Sequence, residues 1–134
     1  ERMVCELGGP TDLVEYPEKY LPSAPVVRPV FPNGNGSVAV MKTRGIGMAV
    51  VGLGGGRARS EQLIDHSVGF SKITAIGTAV GPEKPLAIIH ARTEEEAERA
   101  AAQILAAFDI SEHPVDPQPA VLGRISSAQT LEPI

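Results

Sequence analysis

The stretch "TEEEAERAAAQILAAFD", residues 93–109, most constrains the fold, because it predicts one long amphipathic helix. Thr93 is a favourable N-cap, and Glu96 follows three residues later, which is the spacing of a capping box. The glutamates at 94–96 also suit the positive end of the helix dipole. One side of this helix is apolar and has to be buried against the rest of the chain. That side comprises Ala97, Ala100, Ala101, Ile104, Leu105 and Phe108.

The remaining sequence predicts short strands separated by proline- and glycine-rich turns. Residues 24–31 contain two prolines, which indicates an edge strand. In residues 37–43, the alternation places Val38 and Val40 on one face. Further strands are predicted at 66–73, on both sides of the turn at 82–85, and at 120–125. Strands and helices do not alternate strictly, so the predicted fold class is α+β with mixed or antiparallel strands.

Glycines mark the ends of the other predicted elements. The opening helix carries apolar residues on one face and stops at Gly8-Gly9. The segment "RGIGMAVVGL", residues 44–53, predicts a second helix with Thr43 as its N-cap, and its glycines suggest close packing against a sheet. Two Asn-Gly pairs at 33–36 predict a turn that tolerates positive φ.

The second helix runs into "GLGGGRARS", residues 52–60, and glycines beside arginines raise the question of phosphate binding. A dinucleotide loop lies between a strand and the start of a helix, where amide groups face the anion. Here the order is reversed, and an anion would face carbonyl groups at the negative end of the dipole. We therefore predict a helix stop and sharp turn, with Arg57 and Arg59 left as candidates for contacts at a domain boundary.

The bulk composition excludes several functional classes. The 134 residues are 43% hydrophobic, which is enough for one core, and the net charge of −4 does not favour nucleic acid or an anionic membrane surface. Cys5 is the single cysteine, so no internal disulfide forms, and a cytoplasmic location is expected. No apolar run approaches the ~18 residues of a membrane span.

The potentially reactive side chains form no catalytic or metal-binding pattern. His66, His90 and His113 lack metal-ligand spacing. Neighbours in a strand point to opposite faces, so residues 65–67, Asp-His-Ser, are not expected to act as a triad. His90 is interpreted as a satisfied histidine at the edge of the core, and Cys5 as a small core residue. We assign no catalytic residue, no metal ligand and no cofactor to this chain.

Lys42 raises one alternative function. The "Met-Lys" pair at 41–42 resembles that of biotin-carrying domains, and residues 77–91 resemble the strand-turn-strand that precedes it there. In this chain the matching place is occupied by residues 90–93, "HART", which contains no lysine. Modification of Lys42 is therefore disfavoured relative to a solvated lysine at a strand end. A non-enzymatic biotinyl- or lipoyl-like carrier or binding module remains the alternative to the enzymatic interpretation.

Three blocks resemble one family when they are taken together. They are "GPTDLVEYPEKYLPSAP", "KTRGIGMAVVGLGGGRARSEQLIDHSVGF" and "GPEKPLAIIHAR". In this order they resemble the C-terminal part of bacterial thymidine phosphorylases, within the pyrimidine-nucleoside phosphorylase family. The resemblance covers residues 1–112, with 1–9 as the end of a helix from a preceding domain. Residues 113–134 are interpreted as a proline-rich tail with a short strand at 120–125.

The resemblance implies an α/β-hammerhead-type subdomain with biotinyl-like strand pairing and two or three helices. It implies that the whole enzyme, a homodimer, converts thymidine and phosphate to thymine and 2-deoxyribose 1-phosphate. The family's phosphate loop and nucleoside-contacting motifs are not in this sequence, so we expect these residues to lack catalysis alone. A sister phosphorylase with a different base preference remains open. We expect Arg57 and Arg59 near the domain boundary, and self-association through apolar residues that the absent domains would cover.

Overall fold

The computed structural model describes residues 1–117, 119, 121, 124, 125, 131 and 132 of the chain. Its helices are α1 (Arg2–Glu6), α2 (Thr43–Leu53) and α3 (Glu94–Ala107), with a 3₁₀ turn at Pro17–Lys19. Its strands are β1 (Val26–Val30), β2 (Gly36–Met41), β3 (Gly69–Ser71), β4 (Ala79–Val80), β5 (Ala87–Ala91), β6 (Phe108–Ser111), β7 (Arg124–Ile125) and β8 (Leu131–Glu132).

The strands form small antiparallel sheets. The first sheet has the order β1-β5-β3, so β1 is an edge strand, as the two prolines of residues 24–31 predict. The second sheet has the order β4-β2-β6. The strands β4 and β5, on either side of the turn at 82–85, belong to different sheets. An isolated antiparallel bridge between Gly81 and Lys84 closes the turn between them. Antiparallel sheets combined with helices confirm the predicted α+β class.

The core lies between helices α2 and α3 and the first sheet, and residues of the second sheet such as Val38 and Phe108 complete it. Helix α3 packs against α2, β5 and β1. Alternate residues of β5 are buried, which is the period-two pattern of a strand with one covered face. The largest fully buried side chains belong to Leu53, Leu86, Ile89, Ile104 and Val38. Of the apolar face predicted for α3, Ala97, Ala100 and Ile104 are buried in the helix, and Phe108 is buried as the first residue of β6.

The helix starts differ in how well the sequence predicts them. Thr93 is the N-cap of α3, and its Oγ1 accepts a hydrogen bond from the Glu96 amide at 3.2 Å, as predicted. The prediction of Thr43 as N-cap is wrong, because α2 begins at Thr43 and Lys42 is the cap residue. The glycines of α2 do not pack on a sheet: Gly45 faces Ala107 of α3, and Gly47 has open space around it.

The predicted common face of Val38 and Val40 is wrong. Val38 is fully buried, whereas Val40 is 44% exposed. The pairing of β2 with β6 shifts register between these two residues. Such a bulge inserts one extra residue and interrupts the alternation of faces.

The opening segment lies on the surface. Gly8 has a φ of +82° and follows α1, so the predicted helix stop is confirmed. No residue of α1 is buried, and Met3 and Leu7 are more than three-quarters exposed. The prediction that Cys5 is a core residue is wrong, because Cys5 is exposed. Helix α1 has only five residues and packs no face into the core.

Asp12 holds the segment that follows α1. Its carboxylate accepts hydrogen bonds from Lys19 Nζ at 2.8 Å and from the Tyr20 hydroxyl at 2.5 Å. These bonds lower the pKa of Asp12, with the Lys19 contact as the largest cause. The Lys19 ammonium also lies 4.2 Å from the centre of the Tyr16 ring. No residue of 12–20 is buried, so this polar cluster and the local backbone turns supply the contacts within the segment.

The predictions for the end of the chain fall partly outside the described residues. A strand is predicted at 120–125 within the proline-rich tail, and several of these positions lie outside the described residues. In the described part, β7 pairs antiparallel with β8. None of the helices in the described part of the chain has the length and hydropathy that a membrane span requires.

Candidate functional site

The glycine-rich loop is the candidate site that the sequence singles out. Helix α2 ends at Leu53, and Gly54 has a φ of +93°. The Gly54 N–H donates to Val51 O and the Gly55 N–H to Val50 O, both at 3.0 Å. These two bonds form a Schellman motif, in which the residues after a helix satisfy its last carbonyl groups. The predicted helix stop is therefore confirmed.

The same bonds limit what the loop can bind. An anion cradle needs several unoccupied backbone amides that point at the ligand. The amides of Gly54 and Gly55 are already used by helix carbonyls. The loop also lies at the C-terminal, negative end of α2, which repels an anion. The geometry is that of a structural turn.

Arg57 and Arg59 lie beyond this turn with exposed side chains. The carboxamide oxygen of Gln62 accepts hydrogen bonds from the backbone amides of Ala58 at 2.8 Å and Arg59 at 3.2 Å. The backbone between the arginines is therefore held in place while their guanidinium groups face solvent. This exposure is compatible with contacts to another domain, and their role at a boundary stays a prediction.

Arg92 is the residue at this loop that the sequence interpretation missed. Its guanidinium lies against Gly54, with Nη2 3.4 Å from the place where a Cβ would be. It also forms a two-pronged contact with Glu96, from Nη2 to Oε1 at 2.7 Å and from Nε to Oε2 at 3.2 Å. An open depression of about 300 Å³ lies between the loop, Leu63 and Arg92. The spacing of four residues was a signal for the pair with Glu96, whereas the sequence carries no signal for the contact with Gly54.

Asp65, which follows the glycine-rich loop in the chain, is hydrogen-bonded back to Gly54 at the start of that loop. Its amide donates to Gly54 O at 2.9 Å, and its carboxylate accepts from the Ser67 amide at 2.9 Å and hydroxyl at 2.6 Å. The Ser67 hydroxyl is the largest cause of the lowered pKa of Asp65, and the Arg92 charge adds to it. Asp65 thus bonds to Ser67 and not to His66, so the three consecutive residues do not form a triad.

The pH dependence of stability reports on the Arg92–Glu96 contact. The Arg92 hydrogen bonds lower the pKa of Glu96 in the folded chain, and the Glu96 side chain is only 15% exposed. A carboxyl group with a depressed pKa stabilises the fold above its ordinary pKa, and this contribution disappears as the pH falls through the folded value. We expect Glu96→Gln to reduce stability at neutral pH, with a deficit that shrinks in acid, measured by urea unfolding.

Glu95→Gln is the matched control, because Glu95 has the same charge in the same helical turn and is exposed. It removes the interaction with the helix dipole but leaves the Arg92 contact intact. Equal deficits for the two variants at every pH would contradict a specific role for the Arg92–Glu96 pair.

Gly54 is the position of the loop where backbone conformation decides stability. We expect Gly54→Ala to lower the free energy of unfolding by about 1–2 kcal/mol, since a Cβ penalises the left-handed region. Gly47→Ala is the control within α2, where a Cβ meets nothing within 4 Å. That variant should raise stability by about 0.5–1 kcal/mol, because alanine suits a helix interior better. Urea unfolding of both variants checks the opposite signs, and a neutral Gly54→Ala would contradict the motif's importance.

Lys42 is engaged at the junction of β2 and α2. Its Nζ lies 3.2 Å from Asp109 Oδ1 and 3.5 Å from Ala106 O. Its backbone amide donates to Ala107 O at 2.8 Å. The side chain is exposed at a strand end, as predicted, but it is paired and precedes a helix. This arrangement does not present the lysine at the tip of a turn for a carrier group.

The histidines are dispersed. His66 and His113 are exposed, and half-buried His90 lies in β5 with its Nε2 2.8 Å from Ser71 Oγ. His90 is therefore a satisfied histidine beside the core, as predicted. In the part of the chain that the structure describes, no three His, Cys, Asp or Glu side chains converge as a metal site.

The fold and the loop define a small α+β domain whose glycine-rich segment is structural. The family model described as the pyrimidine nucleoside phosphorylase C-terminal domain matches residues 37–111, which is more than half of the chain. The chain therefore belongs to this family. The matched segment runs from β2 to β6 and contains the glycine-rich loop and α3.

Proposed function

We propose that this chain is the C-terminal structural domain of a thymidine phosphorylase. The whole enzyme would convert thymidine and inorganic phosphate to thymine and 2-deoxyribose 1-phosphate. The observation that carries the proposal is the family match over residues 37–111. Pyrimidine nucleoside phosphorylases are pentosyltransferases, and a C-terminal domain belongs to an enzyme with further domains. The three sequence blocks that resemble thymidine phosphorylases support the finer assignment.

The catalytic groups would reside on those other domains. In support, the amides of Gly54 and Gly55 are occupied by helix carbonyls, and Lys42 is paired with Asp109. Phosphorolysis requires that phosphate rather than water attacks the sugar, so the cleft has to close and exclude water. A compact domain fixed to one wall of the cleft stiffens that wall. We infer that the whole enzyme is the homodimer that the resemblance implies, and that it is cytoplasmic, as the single cysteine suggests.

The assignment is tested by assaying the 134-residue chain and the intact enzyme side by side. With thymidine and phosphate, we expect thymine only from the intact enzyme, and thymine from the 134-residue chain would overturn the structural role. The intact enzyme is also assayed with uridine. A kcat/KM for uridine equal to or above that for thymidine would assign the chain to a sister phosphorylase instead.

Arg57 and Arg59 are tested in the intact enzyme. If they contact the neighbouring domain, the double variant Arg57→Ala/Arg59→Ala should lower kcat/KM for phosphate and thymidine by roughly tenfold, because interdomain geometry affects both constants. Arg44→Ala is the control, since Arg44 is an exposed arginine in the first turn of α2. Unchanged kcat and KM in the double variant would eliminate the boundary role and leave the assignment of the domain intact.

A further inference from the structure

The loop between β1 and β2 contains two consecutive Asn-Gly pairs, Asn33-Gly34 and Asn35-Gly36. Asn-Gly is the dipeptide in which the following amide nitrogen meets least steric hindrance, since glycine has no Cβ. We propose that Asn33 is a site of spontaneous deamidation in the folded chain, while the fold protects Asn35. This modification site is independent of the proposed enzymatic function.

The reaction needs only water. The Gly34 amide nitrogen attacks Asn33 Cγ, so that an N–Cγ bond forms, the Cγ–Nδ2 bond breaks, and ammonia leaves with the amide proton. The product is a five-membered succinimide. Water then adds to one of its two carbonyl carbons and opens the ring, giving aspartate or isoaspartate. The side-chain amide is exchanged for a carboxylate, with no oxidation or reduction.

Gly34 meets the structural requirements for this attack. Asn33 and Gly34 are both exposed, and they lie outside β1 and β2. A Cβ on Gly34 would meet nothing within 4 Å, so the residue has room to rotate. Among the described residues, the Gly34 N–H donates to no backbone acceptor. The nitrogen is therefore available to approach the Asn33 side chain.

Gly36 is held by contrast on two sides. It is the first residue of β2 and pairs with Val80 of β4. Two residues further along β2, the Val38 amide donates to Thr78 O, just before β4, at 3.0 Å. Hydrogen-bonded pairs alternate every second residue in an antiparallel ladder, so the Gly36 N–H also faces its partner strand. On the β6 side, the Ser111 carbonyl lies where a Cβ of Gly36 would be.

The Asn35 side chain is restrained as well. Its Oδ1 lies against Gly81, at the place where a Cβ of that residue would be. Succinimide formation at Asn35 would require the carboxamide to leave this contact and the Gly36 amide to leave the ladder. Both requirements slow the reaction at Asn35 relative to Asn33, although both residues have glycine after them.

Modification at Asn33 has a structural consequence. Asn33 lines a depression of about 270 Å³ together with Glu112, so a new carboxylate would lie on a surface that already carries one. Isoaspartate would also lengthen the backbone between the two sheets by one methylene. We therefore expect the modified chain to be less stable than the unmodified chain.

The experiment follows deamidation of the folded chain in mildly alkaline buffer by peptide mapping with tandem mass spectrometry. We expect aspartate and isoaspartate at position 33, with conversion at position 35 slower by roughly tenfold or more, the factor that about 1.4 kcal/mol of restraint gives. The same chain in concentrated urea is the reference, in which both asparagines should convert at similar rates. Equal rates in the folded chain, or faster conversion at Asn35, would overturn the proposal.

Three variants localise the effect. Asn33→Gln should remove most of the conversion, whereas Asn35→Gln should leave the initial rate unchanged. Gly34→Ala should slow conversion at Asn33 by roughly tenfold, because a Cβ restricts the backbone and hinders the nitrogen. Since Gly34 has open space, this variant keeps the fold. An unchanged rate in Gly34→Ala would also contradict the mechanism.

Discussion

Ile104→Ala is expected to lower the free energy of unfolding by about 2–5 kcal/mol, the range for truncating a buried aliphatic side chain to alanine. Ile104 is fully buried in α3 and belongs to the same core cluster as Leu53, Leu86 and Ile89. The lost methylene and methyl groups leave a cavity that a helix packed on α2, β5 and β1 does not close. Urea unfolding by linear extrapolation gives the difference.

Two variants show whether cavity formation is the cause. Ile104→Val removes one methylene and should lose only about 0.5–1.5 kcal/mol. Leu63→Ala removes a large side chain that is 90% exposed, and its effect should stay within about 0.5 kcal/mol. If Ile104→Ala and Leu63→Ala lowered the free energy of unfolding by the same amount, the placement of α3 against the sheet would be wrong.

Gly36→Ala is expected to destabilise the chain by about 1–3 kcal/mol through overpacking. A Cβ at this position would overlap the Ser111 carbonyl oxygen and lie 2.6 Å from Ile110 Cγ2. The carbonyl belongs to the backbone of β6, so it does not move aside without disturbing the pairing of β2 with β6. The measurement is again urea unfolding.

Gly34→Ala is the matched control for Gly36→Ala. It introduces the same methyl group two residues earlier, where nothing lies within 4 Å. Its effect should stay within about 0.5 kcal/mol, as for exposed substitutions in general. A loss of stability at position 34 equal to that at position 36 would mean that loop flexibility, and not the contact with Ser111, decides the outcome.

Local signals in the sequence predict a helix boundary well where a single residue type is enough to cap or end the helix. Thr93 caps α3 because its hydroxyl reaches the amide three residues on, and this geometry depends on neighbouring residues alone. Gly54 ends α2 because glycine takes a positive φ with little strain. The α+β class was also predictable, because the sequence combines several short strand patterns with one strongly amphipathic helix.

Features that depend on distant parts of the chain are not predicted. The bulge between Val38 and Val40 arises from pairing with β6, which lies about seventy residues further along. The contact of Arg92 with Gly54 likewise joins the residue before the N-cap of α3 to the glycine-rich loop, and the sequence predicted only Arg57 and Arg59 as candidates there. Cys5 has the pattern of a core residue, but its helix of five residues finds no partner surface in the described chain.

The direct junction of α3 and β6 has a mechanical consequence. Ala107 ends the helix that covers the first sheet, and Phe108 begins an edge strand of the second sheet with no intervening loop. Only Lys42 separates β2 from α2 at the neighbouring junction, where its amide is bonded to Ala107. Domain hinges need loop or terminal residues that absorb large changes in φ and ψ. The two junctions contain a single loop residue between them, and its amide is hydrogen-bonded, so we expect the two sheets to move together as one rigid body.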